Sequence, residues 1–381
     1  MKIGIMTFWW SEDNYGQLLQ CYALQKYLRE LGHDAYVIKY NHFADVVRKQ
    51  AKRNLSSVLN PKNLLKFLQS KYQSYRLNKY NEINKRHFST FRSNNIHFSE
   101  KKYNSLNELR LNPPPADIYI VGSDQVWNFR FRNIDTQKNP IHAYMLDFGR
   151  EGVKRVSYAA SCCYSTLDER YKNEIIPLLN RFDAISVREA DGLTFCNDFG
   201  RNDAQVVLDP TFLLKAKDYR LLYKNNNFVI PDTNYVFLYM INDNNSFDVK
   251  KIYRWANEKK LKVVYVTANS NTNYLDKQLF ATIEQWLNLI DNAEYVITNS
   301  FHCCVFSILF KKQFAVIPRK GDDISKGMNT RMEGLFEICS TNNRYLTDFD
   351  VLNKQYIVNE EKFSKLRENS VNFLNKTISL S

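Results

Sequence analysis

The chain has 381 residues, 44% of them hydrophobic and 14% aromatic. That composition excludes extended disorder, and the length exceeds what one hydrophobic core usually serves, so two domains are expected. A formal net charge of +13 demands anionic company, whether phosphorylated metabolites, nucleic acid or a membrane surface, and no apolar run approaches bilayer-spanning length.

In chain order, the periodicity predicts α/β alternation. "KIGIMTF" (Lys2–Phe8) reads as a strand. Leu18, Leu19, Tyr22, Ala23, Tyr27 and Leu31 recur at helical spacing before Gly32, and "AYVIKY" (Ala35–Tyr40) is a second strand. This βαβ opening implies a parallel sheet covered by helices. From about 44 to 91 the pattern becomes a basic helical insertion. Lys62, Lys66, Lys71 and their neighbours face few acids, and Leu64, Leu65, Phe67 and Leu68 are interleaved. Two readings stand for it: a solvated helical face, or a surface for anionic lipid or a phosphate-bearing carrier. The α/β pattern resumes after "NPPPAD" with strands "IYIVG", "RVSYAAS" and "AISVR", and "VVLDPTFLL" (Val206–Leu214) closes the first domain. A second series begins at Tyr235, with strands "KVVYVTA", "YVIT" and "FAVIP". Helices are expected near 247–258, 275–291 and 302–312, and a final helical segment at 360–374. The expected division is therefore 1–222, 223–345 and a C-terminal helical segment 346–381.

In open α/β sheets, ligands bind beyond the carboxyl ends of strands, so the residue after each strand is the place to look. After the first strand, Asn14 and Gly16 start a helix whose free N–H groups favour an anion. No G-x-G occurs, so the dinucleotide fingerprint is absent, as is a Walker loop. After "IYIVG", Ser123, Asp124, Gln125 and Asn128 crowd a strand end, and Trp127 offers a flat face of the kind sugars stack on. After "AISV" comes Arg188, a two-pronged anion binder or a partner for Glu189 or Asp191. After "YVIT", Asn299 or Ser300 can cap a helix that carries His302 in its first turn, where the dipole disfavours imidazolium. His302 reads as a core histidine, a metal ligand beside Cys303 and Cys304, or an acid/base; its position at a strand-to-helix crossover favours the last. Adjacent cysteines such as Cys162–Cys163 and Cys303–Cys304 make poor chelates, there is no C-x-x-C among the seven cysteines, and no metal is expected. No secretory pattern is visible, and a reduced, cytoplasmic setting is expected.

"NYGQLLQCYALQKYLRELGHDAYVI", "YIVGSDQVWN", "SYAAS", "ISVRE", "VLDPTFLL" and "YVITNSFHCCVFSILFKKQF" run in the order seen in bacterial polysaccharide pyruvyl transferases, and the chain resembles that family from the first strand to Arg331. The resemblance implies two Rossmann-like domains with an interdomain cleft, as in the B-type glycosyltransferases (GT-B-like). It implies transfer of pyruvate from phosphoenolpyruvate onto two hydroxyls of a capsule, exopolysaccharide or cell-wall sugar, forming a cyclic ketal and releasing phosphate. Phosphoenolpyruvate is then a donor substrate and no cofactor is required. The acceptor is a glycan, often lipid-linked, so contact with the inner face of an anionic membrane is expected and nucleic acid is not. By matching position, His302 is the acid/base and Arg188 binds phosphoenolpyruvate. Asp124 is the second catalytic candidate. Asn14, Gly16, Ser123, Gln125, Trp127, Asn128, Asn299 and Ser300 are taken as substrate-binding. Many members carry Arg-Leu-His where this chain has Ser300, Phe301 and His302, and Cys303 replaces a common glycine. Arg331 or Arg319 is expected to supply the missing charge. Two alternatives are a nucleotide-sugar glycosyltransferase of the same fold and an inactive sugar-binding protein.

Overall fold

The apolar runs become the strands of two parallel sheets. The computed structural model describes residues 1–41, 72, 75, 79, 85–128, 141–162, 172–224, 228, 230–231, 234–241, 247–268, 278–318, 331–337 and 343–379. The first sheet contains β1 (Lys2–Met6), β2 (Asp34–Tyr40), β3 (Phe98–Tyr103), β4 (Ile118–Val121), β5 (Lys154–Ala160), β6 (Ala184–Val187) and β7 (Gln205–Val206). Its spatial order is β3-β2-β1-β4-β5-β6-β7. The second contains β8 (Tyr235–Met240), β9 (Lys262–Thr267), β10 (Gln278–Leu279), β11 (Tyr295–Thr298) and β12 (Gln313–Val316), in the order β10-β9-β8-β11-β12. Both sheets thus follow the doubly wound order, first strand at the centre and direction of winding reversed between the first and fourth. The protein is a two-domain Rossmann-like, GT-B-like α/β fold. The switch points lie between β1 and β4 in one sheet and between β8 and β11 in the other.

Five helices position the crevice: α1 (Tyr15–Glu30), α2 (Ala216–Tyr223), α3 (Ile283–Asp291), α4 (Phe301–Leu309) and α5 (Glu360–Ser379). Helix α1 is buried along most of its length, because it lies against both domains. Tyr15 at its start stacks on Trp286 of α3 (5.1 Å between centroids, 8° between planes) and donates a hydrogen bond to Ala281 O at 2.7 Å. One continuous apolar core therefore joins Ile3 and Leu18 of the first domain to Phe237, Trp286 and Val305 of the second. Helix α2 is tied to the second domain by a two-pronged ion pair, Arg220 Nε and Nη2 to Asp291 at 2.7 and 2.8 Å. Helix α5 returns to the first domain. Ser370 Oγ accepts from Leu208 N at 2.9 Å, and Arg367 donates to Phe212 O and Leu213 O at 3.0 and 2.7 Å.

Two expectations change. The helix placed at 275–291 starts only at Ile283, where Thr282 and Gln285 form a capping box; Gln278–Leu279 before it is an edge strand paired with β9. Strand β3 was not anticipated, because "FSEKKY" is a polar edge strand that buries only Ser99 and Tyr103 fully. Of the basic insertion, Tyr72, Tyr75 and Lys79 are described, and are helical and exposed; 85–91 are described as well, whereas Lys62, Lys66 and Lys71 lie outside the described residues, as does Arg319. At the end of that stretch Phe88 and Phe91 are buried in the shared core.

A polar cluster around His142 is expected to make stability pH-dependent. Both ring nitrogens of His142 face carboxylate oxygens: Nδ1 to Asp147 Oδ2 at 2.9 Å and Nε2 to Glu174 Oε1 at 2.5 Å. Both can donate only as imidazolium. Burial opposes that charge, but the Asp147 and Glu174 hydrogen bonds outweigh it, and the His142 pKa is raised. Burial likewise opposes the Asp147 charge, but His142 and Arg110 lower its carboxyl to about 2. A raised histidine pKa stabilises below the unfolded value, and that contribution is lost as pH rises through the folded one. Between about pH 6 and about pH 9 the melting temperature should therefore fall more in the wild type than in His142→Gln, as read by calorimetry.

Candidate active site

The carboxyl ends of both sheets meet around one buried carboxylate. Asp209 follows β7 and caps a 3₁₀ turn, Pro210–Phe212, with Thr211 N and Oγ1 donating to its Oδ1 at 3.0 and 2.7 Å. Its other oxygen, Oδ2, collects three groups. Ser123 Oγ, after β4, donates at 2.8 Å; Arg188 Nη1, after β6, donates at 3.1 Å; and His302 Nε2, from the second domain, lies at 3.4 Å. The Arg188, His302 and Asp209 side chains are 2%, 8% and 0% exposed. Burial alone would raise the Asp209 carboxyl, but His302, Arg188 and Thr211 more than offset it and hold it far below the usual range, so it is an anion. Arg188 is held charged in the same way: burial opposes, and Glu189, Asp209 and Asp124 outweigh it.

His302 is set by two helix starts. Ser300 caps α4, its Oγ accepting from Cys303 N at 3.4 Å, which leaves His302 in the first turn. Asn14 caps α1 by accepting from Gln17 N at 3.2 Å. The imidazole packs directly on Gly16, where a Cβ would stand 2.2 Å from Nδ1. Two positive helix ends therefore converge on the histidine, one from each domain, with the Asp209 carboxylate opposing their field. The expectation built on the α4 dipole alone left that carboxylate out.

A cleft of about 450 Å³ opens onto this cluster, lined by Arg188, Arg331 and Lys362, by the acids Glu189, Asp191, Asp209, Glu333 and Glu337, and by Phe301, Phe212 and Leu366. Two guanidiniums approach the Phe301 ring, Arg188 at 4.3 Å and Arg331 at 6.0 Å from its centroid. Gln125, its amide oriented by the hydrogen-bond network, accepts from Arg331 Nη2 at 3.1 Å. Arg188 Nη2 and Arg331 Nε have no hydrogen-bond partner among the described residues.

Of the sequence candidates, Arg188, His302, Ser123, Gly16, Gln125 and Arg331 come together here. Arg188 also makes the local ion pair weighed as its alternative, Nε to Glu189 Oε1 at 2.8 Å. Asp124 occupies the turn after β4 at φ 73, a left-handed conformation that is strained for a non-glycine residue, and its charge reaches Arg188. Asn299 is a tie between strands, bonded to Ile241 N and O at 2.7 and 2.9 Å. Asn128 is buried against the Gln125 amide. Trp127 requires correction: its ring is fully buried against Phe182, and Nε1 donates to Tyr144 O at 3.1 Å, so it presents no face for a sugar. Cys303 and Cys304 are buried thiols within α4. Asp209 and Phe301 were assigned no role from sequence. Asp209 gave only the local signal of an Asp-Pro cap, because its decisive partners come from other strands.

The family described as "Polysaccharide pyruvyl transferase" matches residues 14–321, most of the chain. The chain belongs to that family. This family member is accordingly a transferase of polysaccharide biosynthesis with a glycan acceptor. No curated protein matches it. Among solved structures, it is similar to an S. aureus MnaA–UDP co-structure (11% identity, TM-score 0.49, covering 100% of this chain and 97% of that one). It is also similar to UDP-N-acetylglucosamine 2-epimerase from Rickettsia bellii (10% identity, TM-score 0.49, 100% and 97%) and to the wall teichoic acid polymerase TagF (12% identity, TM-score 0.45, 98% and 83%). No helix among the described residues is long and apolar enough to cross a membrane.

Proposed function

We propose that the protein transfers pyruvate from phosphoenolpyruvate to two hydroxyls of a surface-polysaccharide sugar or its lipid-linked precursor, as a cyclic ketal. The observation that carries this reading is the meeting of Arg188 and His302, from separate domains, on Asp209 Oδ2, beside a cleft that also holds Arg331. A dianion at the Arg188–Arg331 wall has N–H donors to meet it. His302 delivers or relays a proton: C3 of the donor gains one, which makes C2 electrophilic. Two C2–O bonds to the sugar form and the C2–O bond to phosphate breaks. Of the two protons the hydroxyls give up, one balances the new C3–H and one leaves with phosphate. Asp124 is the second candidate for proton transfer. Arg331 stands in for the arginine that Ser300 replaces. Action on a lipid-linked glycan would set the enzyme at the inner face of the cytoplasmic membrane.

The test is mass analysis of lipid-linked oligosaccharides incubated with enzyme and phosphoenolpyruvate. A product heavier by pyruvic acid less one water is expected, and His302→Gln should lower its rate by about 10²–10⁴-fold. Arg331→Ala should raise KM for phosphoenolpyruvate roughly tenfold, the loss of one charge-assisted contact; an unchanged KM would remove Arg331 from the site. A thermal shift with nucleotide sugars and none with phosphoenolpyruvate would favour the glycosyltransferase alternative.

A further inference from the structure

A second cleft, of about 330 Å³, flanks the start of α1 and is lined by Glu12, Asp13, Lys85, Arg86 and His87. It lies where the domains meet. Arg86 reaches across to the second sheet: Nη2 donates to Thr267 O, at the carboxyl end of β9, at 3.1 Å, and the guanidinium lies 4.6 Å from the Phe280 ring centroid. That anchorage fixes the side chain and leaves Nε without a hydrogen-bond partner among the described residues. Asp13 follows β1; its carboxylate accepts from Ser11 Oγ at 3.0 Å through Oδ1. Arg92 holds the same loop in place, donating to Ser11 O at 2.7 Å and pairing with Glu12.

Resting on the reaction proposed above, we infer that this cleft is the acceptor subsite and takes a neutral sugar ring, whose hydroxyls donate to Asp13 and accept from Arg86. The lining carries both signs side by side, which suits a polyol, because each hydroxyl is both donor and acceptor. The two carboxylates, Glu12 and Asp13, are matched by Lys85 and Arg86, so the cleft carries no strong excess of either sign. Gly16, three residues after Asp13, is the backbone on which His302 rests, so a sugar held at Asp13 is carried on the same turn that positions the acid/base. Burial raises the Asp13 carboxyl, against the Ser11 hydrogen bond and the charge of Arg86.

Saturation-transfer NMR with methyl β-galactopyranoside, methyl β-glucopyranoside and methyl N-acetyl-β-mannosaminide tests this, with the phosphoenolpyruvate thermal shift recorded in parallel. At least one glycoside should receive saturation from the wild-type protein. Asp13→Asn should reduce that signal about tenfold while leaving the phosphoenolpyruvate shift as it was. Arg86→Lys should give an intermediate loss, and a melting temperature like the wild type's confirms that either variant is folded. Absence of any glycoside signal with the wild type, or full retention in folded Asp13→Asn, overturns the assignment. Loss of the phosphoenolpyruvate shift in the wild type would instead count against the reaction, with the glycoside signal still reporting on the cleft.

Discussion

Replacing Asp209 by alanine is expected to destabilise the protein by about 3–5 kcal/mol, the range for removing one partner of a buried ion pair. Ser123 Oγ, Arg188 Nη1 and both Thr211 donors lose their acceptor together, in a place water does not reach. Asp209→Asn separates charge from shape. It keeps an oxygen for Thr211 but leaves Arg188 and His302 without the carboxylate between them. Stability should fall less in this variant than in Asp209→Ala, while kcat falls by about 10²-fold or more as the imidazole loses the carboxylate 3.4 Å from its Nε2. Urea unfolding gives the first quantity, and separate kcat and KM values give the second. A position that only packed would lower stability and leave kcat of the folded fraction near wild type.

Gly16→Ala is the second large effect. On helix propensity alone the change should stabilise α1, by about 1 kcal/mol. The new Cβ, however, would stand 2.2 Å from His302 Nδ1, 2.4 Å from Cγ and 2.6 Å from Cβ. These atoms lie near the histidine backbone and cannot swing away, so overpacking of about 1–3 kcal/mol should outweigh the propensity gain. A shift of about 1 Å in His302 should lower kcat by about 10²-fold. The double variant Gly16→Ala/His302→Ala gives the decisive measurement. With the imidazole gone the contacts at 2.2 and 2.4 Å disappear and only the one to the residue 302 Cβ at 2.6 Å remains, so part of the stability lost in the single variant should return as a non-additive term in the cycle. Plain additivity would mean that contact with His302 is not what requires glycine.

Much of the fold was legible along the chain. The runs at Ile118, Tyr235 and Tyr295 are fully or nearly fully buried parallel strands, which are apolar throughout and bounded by turn residues. Ser300 and Asn14 announced the starts of the two helices that face each other across the crevice. The failures have a common cause. Phe98–Tyr103 and Gln278–Leu279 lie at sheet edges, where one flank needs no apolar partner, so their sequences carry little strand signal. Trp127 stood among polar turn residues and read as a surface ring, yet Phe182 and Phe195, far along the chain, close over it.

By itself, then, the order of residues determined two α/β units in series and the family, because strand runs, caps and turn residues act over a few neighbours. Only the tertiary structure decided that Arg188 and His302 share Asp209, that two guanidiniums approach the Phe301 ring, and that Gly16 makes room for the imidazole. Those contacts join strand ends from both sheets. A buried charge takes whichever partner the packing brings within about 3 Å, and no local periodicity encodes that choice.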